Sequence, residues 1–223
     1  HAGLFGRGTV GEGCDRDSLE LPGVQRELAE AVLATGKPVV LVLLTGRPYA
    51  IGWAVQRCAA VLQAFFPGEE GSCAIAGILS GRVNPSGRLP VSLPRSAGAQ
   101  PYTYLHPNLG QGHEVTNLET TPVAPFGHGL SYTTFEYSNL TVSERVPTDG
   151  AIEATVTVTN TGQVAGDEVI HLYGHDPVAS ITRPVAALLG YHRVHLAPGQ
   201  SATVRFSVPT TRLAFSDRQY RRG

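Results

Sequence analysis

The sequence predicts an α/β domain joined by a long loop to an all-β domain. Up to about residue 95, segments with helical spacing alternate with continuous apolar runs, which is typical of a partly parallel sheet with flanking helices. From Phe135 onward, apolar residues recur at every second position in short segments that end in Gly, Pro or Asp. This period indicates a small antiparallel β-sandwich of immunoglobulin-like type. The stretch between the two patterns is rich in Pro, Gly and Asn, as in a functional loop or an interdomain connector.

The α/β part begins with a predicted helix over residues 21–36. Its apolar residues Val24, Leu28 and Val32 recur at helical spacing, which places them on one face of the helix. Gly36 lies just past the last of them, where helices commonly end.

Two apolar runs then predict parallel strands. The run KPVVLVLLTGRP (residues 37–48) has no polar alternation before its glycine and proline, so we expect a strand that is buried on both faces. The run CAAVLQAFF (residues 58–66) predicts a second strand, and GSCAIAGILSG (residues 71–81) predicts a short helix after it. Proteins of this architecture bind ligands in the loops that follow the carboxyl ends of the strands.

The β part is predicted from strict alternation of apolar and polar residues. The segment AIEATVTVTN breaks at Asn160-Thr161-Gly162, and DEVIHLYG, LLGYHRVHL and SATVRFSVP follow as further short strands. In the last of them Val204, Phe206 and Val208 share one face, which predicts that they face the core of the sandwich.

Composition excludes several classes of function. Hydrophobic residues make up 42% of the chain, charged residues 16%, and the net charge is −1, which describes a well-packed soluble protein rather than a polyelectrolyte. We therefore expect neither nucleic acid nor a membrane as a partner, and the compartment stays open between cytoplasm and secretion. The chain has no methionine, so we expect a fragment of a longer protein. Its three cysteines show no metal-ligand spacing and are expected to be buried free thiols.

The segment GRGTVGEGCDR (residues 6–16) holds the principal candidate for catalysis. It presents Glu12 between two glycines in a loop, where substrate could reach the carboxylate and its position could adjust, as a general acid requires. Because Asp15, Asp17 and Glu20 follow, a solvated acidic turn that leads into a helix explains the same residues. The residues alone leave both interpretations open.

Other chemistry is weakly indicated. His128, between two glycines, and His106 in YLHPN are better explained by loop packing than by a site, and the histidines of the β part are expected to be structural: His171, His175, His192 and His195. The chain has no HExxH motif, no G-x-S-x-G nucleophile elbow and no P-loop. We predict no metal and no cofactor.

Several segments in order resemble glycoside hydrolase family 3. They are GRGTVGEGCDR, LPGVQRELAEAVLATGKPVVLVLLTGRP, AVLQAFFPGEEG, SGRVNPSGRLPVSLPRS and PFGHGLSYTTFEYSNL. The later segment VTVTNTGQVAGDEVIHLYGHDPVASITRPVAALLGYHRVHLAPGQ is similar to the fibronectin type III-like domain of that family. Together these segments cover essentially the whole chain.

The resemblance implies a domain plan. Residues 1–95 would form the α/β sandwich domain, incomplete at its N-terminus, and residues 96–134 the connecting loop. Residues 135–223 would form the fibronectin type III-like domain, incomplete at its C-terminus. An N-terminal (β/α)8 barrel of the same protein would be the partner domain.

The resemblance also implies an activity, which is retaining, exo-acting hydrolysis of β-glucosides or β-xylosides. The nucleophile would be an aspartate on the absent barrel, and this chain alone would be inactive. The general acid/base would be Glu12, which matches the glutamate of the family's S-G-E-G segment although Val10 replaces the serine. The alternatives are a non-catalytic module that binds carbohydrate or acts as a scaffold, and phosphorolysis in place of hydrolysis.

Overall fold

The structure, a computed structural model, describes residues 14–99, 102–107, 112 and 114–222. The described residues fall into two compact units. The first unit contains those within 1–80, 89–103 and 111–128, and the second contains those within 81–88, 104–110 and 129–223. The stretch predicted as a connecting loop thus contributes segments to both units.

The first unit is of α/β type. Its elements in chain order are helix α1 (Gln25–Leu33), strand β1 (Val40–Leu43), helix α2 (Gly52–Val55), strand β2 (Ala60–Gln63) and helix α3 (Gly71–Leu79). Strands β1 and β2 are parallel, with Val40 opposite Ala60 and Leu43 opposite Gln63. Gly36 and Gly81, which follow α1 and α3, have φ of +71° and +76°, a conformation that favours glycine. The predicted helices and parallel strands are confirmed, with shorter strands than the apolar runs suggest.

The expectation that the first strand is buried on both faces is wrong. Val40 is 48% exposed, Leu44 directly after β1 is 60% exposed, and only Leu43 within β1 is buried. The predicted apolar face of α1 is also open, since Leu28 is 64% exposed and no residue of α1 is buried. The physical reason is that the sheet has two strands in the described part of this unit, so it covers little of either face.

The core of the first unit gathers around the segment after β1. Its buried residues are Leu21, Leu43, Tyr49, Ile51, Ala54 and Leu93. Helix α2 supplies Ala54, and its four residues are too few for helical periodicity to predict it. Leu93 is held at this core by backbone hydrogen bonds to residues 123 and 124. The Leu93 N–H donates to the Ala124 carbonyl at 2.8 Å, and the Leu93 carbonyl accepts from the Val123 N–H at 3.0 Å.

The second unit is a β-sandwich, which confirms the predicted all-β part. Its strands are β3 (Phe135–Val142), β4 (Ala151–Asn160), β5 (Gly166–Gly174), β6 (Ala187–Leu196) and β7 (Ser201–Pro209). They form an antiparallel sheet of order β3-β4-β7 and an antiparallel pair β5-β6. The core residues come from both sheets and are Ala154, Val156, Val158, Ile170, Leu196, Val204, Phe206 and Val208. The predicted inward face of β7 is therefore confirmed.

Residues 81–88 are tied into the second unit by polar side chains. The Asn84 amide donates to the Ala165 carbonyl (3.1 Å) and accepts from the Tyr132 backbone N–H (2.7 Å). Arg88 pairs with Glu168, whose carboxylate also accepts a hydrogen bond from the Tyr137 hydroxyl at 2.6 Å. Burial, followed by that carboxylate, raises the pKa of Tyr137. The phenol therefore keeps its proton and donates a hydrogen bond to the Glu168 carboxylate.

All three cysteines are free thiols. Cys14 is buried and Cys58 is half-buried, where burial raises the pKa of the thiol. The expectation of burial is wrong for Cys73, which is exposed on α3. Among the helices of the described residues, none combines the length and the apolar character that crossing a membrane requires.

Candidate active site

Glu12 lies outside the described residues, which begin at Cys14. The acidic residues that follow it are accounted for. Asp15 and Asp17 are exposed, and Glu20 accepts a hydrogen bond from Arg26 at 2.8 Å. For these three side chains the structure agrees with the interpretation as a solvated acidic turn, one of the two that the sequence left open.

The chain directly after Glu12 is fixed to the loop that follows β1. Cys14 is 3% exposed, and its carbonyl oxygen accepts a hydrogen bond from Nη2 of Arg47 at 2.9 Å. A second contact lies further along, where the Ala50 N–H donates to the Leu19 carbonyl at 2.8 Å. Residues 14–19 are therefore held against residues 47–50 at both ends.

The same loop is joined to the end of β2. Thr45 is buried, and its hydroxyl accepts a hydrogen bond from the Gln63 amide at 2.9 Å. The Ala64 N–H donates to the Leu43 carbonyl at 3.0 Å. The carboxyl ends of the two parallel strands and the segment after Glu12 thus meet at one edge, which is where open α/β sheets bind ligands. Phe65, the second residue after β2, has φ of +51°, a conformation that a bulky side chain rarely adopts.

Two buried donors in or against the core of the first unit have no hydrogen-bond partner among the described residues. They are the hydroxyl of Tyr49, a residue that is 2% exposed, and Nε1 of Trp53. Each unsatisfied buried donor costs about 1–3 kcal/mol. Trp53 packs against the core, as most tryptophan side chains do. The Arg26 guanidinium lies 5.1 Å from the centre of its ring. Hydrogen bonds first with Glu30 and then with Glu20 raise the pKa of Arg26.

No histidine of the described residues makes a recorded hydrogen bond with the residues of this edge. The side chain of His128 is exposed. Its backbone N–H donates to the Pro125 carbonyl and its backbone carbonyl accepts from the Leu89 N–H, which agrees with a role in loop packing. Nδ1 of His106 lies 3.2 Å from the Pro107 carbonyl in the second unit. Burial, followed by the charge of Arg88, lowers the pKa of His171. In the part of the chain that the structure describes, no three His, Cys, Asp or Glu side chains form a cluster that could hold a metal ion.

Arg47, Thr45 and Gln63 were not predicted from the sequence as site residues. Their contacts join positions 33 and 18 residues apart, and no periodicity reports such contacts. The signal that could have found them is their place at the carboxyl ends of two predicted parallel strands.

Comparison with family models gives two matches. The model described as the glycosyl hydrolase family 3 C-terminal domain matches residues 3–132. The model described as the fibronectin type III-like domain matches residues 168–222, which correspond to β5 onward. The sandwich itself begins earlier, at Phe135.

Known proteins resemble the chain over most of its length. It is 43% identical to the periplasmic beta-glucosidase of Salmonella typhimurium over 96% of the chain, and 42% identical to a beta-xylosidase of Formosa agariphila over 90%. Its fold matches the beta-glucosidase of Listeria innocua, solved in complex with glucose, with a TM-score of 0.89 at 33% identity over 96% of the chain and 31% of that structure. A beta-glucosidase of Erythrobacter marinus gives 0.86 at 42% identity over 94% of the chain and 28% of that structure. The chain spans 29% and 28% of the length of the Salmonella and Formosa relatives.

Proposed function

The chain belongs to glycoside hydrolase family 3, and we propose that it is part of a retaining, exo-acting β-glycosidase to which it supplies the general acid/base, Glu12. The observation that carries this proposal is the hydrogen bond between Arg47 and the Cys14 carbonyl. It fixes the chain two residues after Glu12 at the carboxyl edge of the parallel strands. Glu12 precedes Cys14 by two residues in the sequence, a length of chain that spans at most about 7 Å. This supports the proposal that Glu12 acts at the edge where this architecture binds ligands.

The chemistry requires two carboxyl groups that stand about 5–5.5 Å apart across the glycosidic bond. In the first step a carboxylate attacks the anomeric carbon while Glu12 transfers its proton to the departing oxygen, which leaves as an alcohol. In the second step Glu12 takes a proton from water, and the resulting oxygen nucleophile displaces the enzyme carboxylate from the anomeric carbon. The nucleophile in this proposal is an aspartate on an N-terminal barrel of the same protein, which is the partner domain expected from the resemblance.

Glu12 has to be protonated when substrate arrives. An ordinary glutamate has a pKa near 4.3, so a general acid that works near neutral pH needs a raised pKa, which burial against apolar surface supplies. The glycines on either side of Glu12 give the loop the freedom to carry the side chain into such a surface. Val10 in place of serine removes one possible hydrogen-bond donor to the carboxylate, a change that also favours the protonated form.

The substrate class follows from the names of the relatives. The Salmonella relative is a beta-glucosidase and the Formosa relative a beta-xylosidase. A glucoside and a xyloside differ in one hydroxymethyl group, so we propose a β-linked glucoside or xyloside, cleaved from its non-reducing end. The proposed co-substrate is water rather than phosphate.

The test uses the full-length protein and the variant Glu12→Gln, assayed on two substrates. One is a disaccharide or alkyl glycoside, whose leaving group needs a proton, and the other is a dinitrophenyl glycoside, whose leaving group does not. We expect kcat/KM to fall by about 10²–10⁴ on the first substrate and far less on the second. Glu20→Gln is the matched control, because Glu20 is an exposed carboxylate of the same segment that pairs with Arg26.

An equal loss on both substrates, or none, contradicts the role of Glu12. The non-catalytic module that binds carbohydrate or acts as a scaffold then becomes the better hypothesis. The 223-residue chain alone is assayed alongside and is expected to show no turnover, because the proposed nucleophile lies outside it.

A further inference from the structure

We infer that the outer face of the strand pair β5–β6 binds an extended, β-linked oligosaccharide. The inference concerns binding rather than cleavage, and it takes only the class of sugar from the proposed function. The side chains that carry it are aromatic or form hydrogen bonds, and they are Asp167, His171 and Tyr173 of β5 and Tyr191, Arg193 and His195 of β6.

The register of the two strands places these side chains on one face. Asp167 lies opposite His195, and His171 lies opposite Tyr191. Residues that are directly opposite each other in an antiparallel pair point to the same side of the sheet. The alternate positions of both strands supply residues of the sandwich core, so these side chains point away from the core.

The aromatic rings of this face are exposed and already ordered. Tyr191 is 68% exposed and Tyr173 is 39% exposed. The ring of Tyr173 makes edge-on contacts with the rings of Tyr104 and His171, at centroid distances of 6.2 Å and 5.8 Å. Its hydroxyl lies 3.3 Å from Nδ1 of His171. Side chains that are held in this way lose little freedom when a ligand binds, and exposed aromatic groups are typical of binding surfaces.

The polar side chains of the face are ordered as well. Nε of Arg193 donates to the Asp167 carboxylate at 3.0 Å, and its Nη2 donates to the Ser86 hydroxyl at 2.7 Å. The same carboxylate lies 2.5 Å from Nδ1 of His195. The side chain of Arg193 is still 59% exposed, so a ligand can reach it. Because the charges of Arg193 and Asp167 balance, this face is complementary to a neutral hydrogen-bonding ligand rather than to an ion.

A β-linked glucose or xylose ring has the matching chemistry. Its hydroxyls are equatorial, which leaves C–H groups on both faces of the ring to pack against an aromatic side chain. The hydroxyls at the rim can accept hydrogen bonds from a guanidinium and donate them to a carboxylate.

The shape of the face favours a chain of such rings. At the rise of a β-strand, the distance from Asp167 to Tyr173 is about 20 Å. The sugars of a cellulose-type chain follow one another as a flat ribbon, whereas those of an amylose-type chain coil. Several rings of a cellulose-type chain therefore fit along the face, with the aromatic side chains beneath some rings and the charged pair beside others.

The test is protection of Tyr191 from nitration in the full-length protein, read at each tyrosine by mass spectrometry. The ligand is thio-linked cellopentaose, which glycosidases do not cleave. We expect Tyr191 to be nitrated in the free protein and to be protected by saturating ligand. Tyr220, which is 92% exposed in the same unit and lies outside this face, should react equally with and without ligand. Maltopentaose, which has the same sugars in a coiling chain, should protect neither residue.

Variants test whether stacking on Tyr191 causes the protection. The ligand concentration that halves nitration of Tyr173 reports the affinity of the same face. This concentration should rise about 10-fold in Tyr191→Ala, the usual scale for losing one aromatic contact. It should stay at the wild-type value in Tyr191→Phe, which keeps the ring, and in the matched control Tyr220→Ala. Turnover of a dinitrophenyl glycoside, measured on the same preparations, shows that each variant is folded.

Three outcomes overturn the inference. If Tyr191 resists nitration in the free protein while Tyr220 reacts, another part of the full-length protein covers the face. If the ligand does not protect Tyr191, or maltopentaose protects it equally, the face does not select a cellulose-type chain. If Tyr191→Ala leaves the affinity unchanged, the ring is not a contact. Because the ligand is not cleaved, these results do not depend on Glu12, and failure of Glu12→Gln in its own kinetic test would leave them standing.

Discussion

The two units bury apolar surface in opposite ways. In the sandwich, residues from β4 and β7 on one sheet and from β5 and β6 on the other close into one core, and Leu196 of β6 is 1% exposed. In the α/β unit the helix with the clearest apolar face contributes no buried residue, and the core gathers around the loop after β1. The sandwich core is thus formed by its strands, whereas the core of the α/β unit is centred on the loop after β1, which belongs to the candidate site.

Polar groups show the same contrast. Asn160 of the sandwich is fully buried, and its amide accepts from the Thr133 hydroxyl (2.6 Å) and donates to the Val164 and Leu196 carbonyls (both 2.9 Å). In the α/β unit the Tyr49 hydroxyl is buried without a partner among the described residues. Functional sites are where proteins commonly retain such unsatisfied groups. The comparison is therefore consistent with the proposal that the loop after β1 contributes to a site.

The largest expected effect comes from making one chemical change in both units. Leu196→Ala creates a cavity in the sandwich core and should lower the free energy of unfolding by about 2–5 kcal/mol. Leu28→Ala removes the same atoms from an exposed position on α1 and should change it by less than about 0.5 kcal/mol. Urea denaturation of the 223-residue chain measures both variants. Equal losses would break the contrast between the two units.

A smaller effect is expected from the buried polar groups. Asn160→Ala leaves one hydroxyl, one backbone N–H and two carbonyls without their partner. It should cost about 2–3 kcal/mol, because several buried groups lose hydrogen bonds at once. Tyr49→Phe removes a hydroxyl that has no partner to lose, so we expect no loss of stability or a slight gain. The same denaturation experiment measures them. A clear loss in Tyr49→Phe would mean that the hydroxyl does have an acceptor.

The smallest effect depends on pH and concerns Asp167 of β5. Hydrogen bonds from Arg193 first, and then from His195, lower the pKa of this carboxyl below its usual value. A depressed pKa in the folded protein stabilises the fold at pH values above the unfolded pKa, near 3.9, and this contribution disappears as the pH falls through the folded pKa. Asp167→Asn should therefore cost at most about 1 kcal/mol at pH 7.

Near pH 2 Asp167→Asn and wild type should be closer in stability than at pH 7, which denaturation curves at the two pH values would test. The α/β unit offers a counterpart in Glu119. The Thr121 hydroxyl, followed by the Thr121 N–H, lowers the pKa of this fully exposed carboxyl. Glu119→Gln should show a weaker pH dependence than Asp167→Asn, because solvent screens an exposed group. A stronger dependence for Glu119 would reverse the comparison.

The strands of the sandwich could be predicted because each has one buried face. In β7, Val204, Phe206 and Val208 face the core while their neighbours face solvent, so the sequence alternates as the structure does. The same logic misled for β1, where an unbroken apolar run predicts burial on both faces and Val40 is half-exposed. An apolar run indicates that a strand favours burial, whereas how much of the strand is buried depends on how many strands and helices pack against it.

Of the candidate site, the sequence singled out only Glu12, the proposed acid. Glu12 stands out by its flanking glycines and by the family resemblance, but no local pattern marks Arg47 as the group that binds the chain after it. That contact uses a backbone carbonyl, which every residue carries, so the sequence at position 14 gives no sign of it. The same holds for Asn84, whose contacts with Ala165 and Tyr132 involve backbone atoms 81 and 48 residues away.

The assignment of residues 81–88 to the sandwich has a consequence for how such proteins evolve. A recombination event that copied residues 129–223 into another gene would leave behind Asn84 and Arg88, and with them the groups that bind the Ala165 carbonyl and the Glu168 carboxylate. In the copied piece Glu168 of β5 would keep its hydrogen bond from Tyr137 but lose the positive charge of Arg88. Residues 129–223 alone are therefore not a complete domain that could be moved to another protein. Because residues 81–88 belong to the second unit and part of the first unit lies between them and residue 129, we expect selection to keep the two units in one gene.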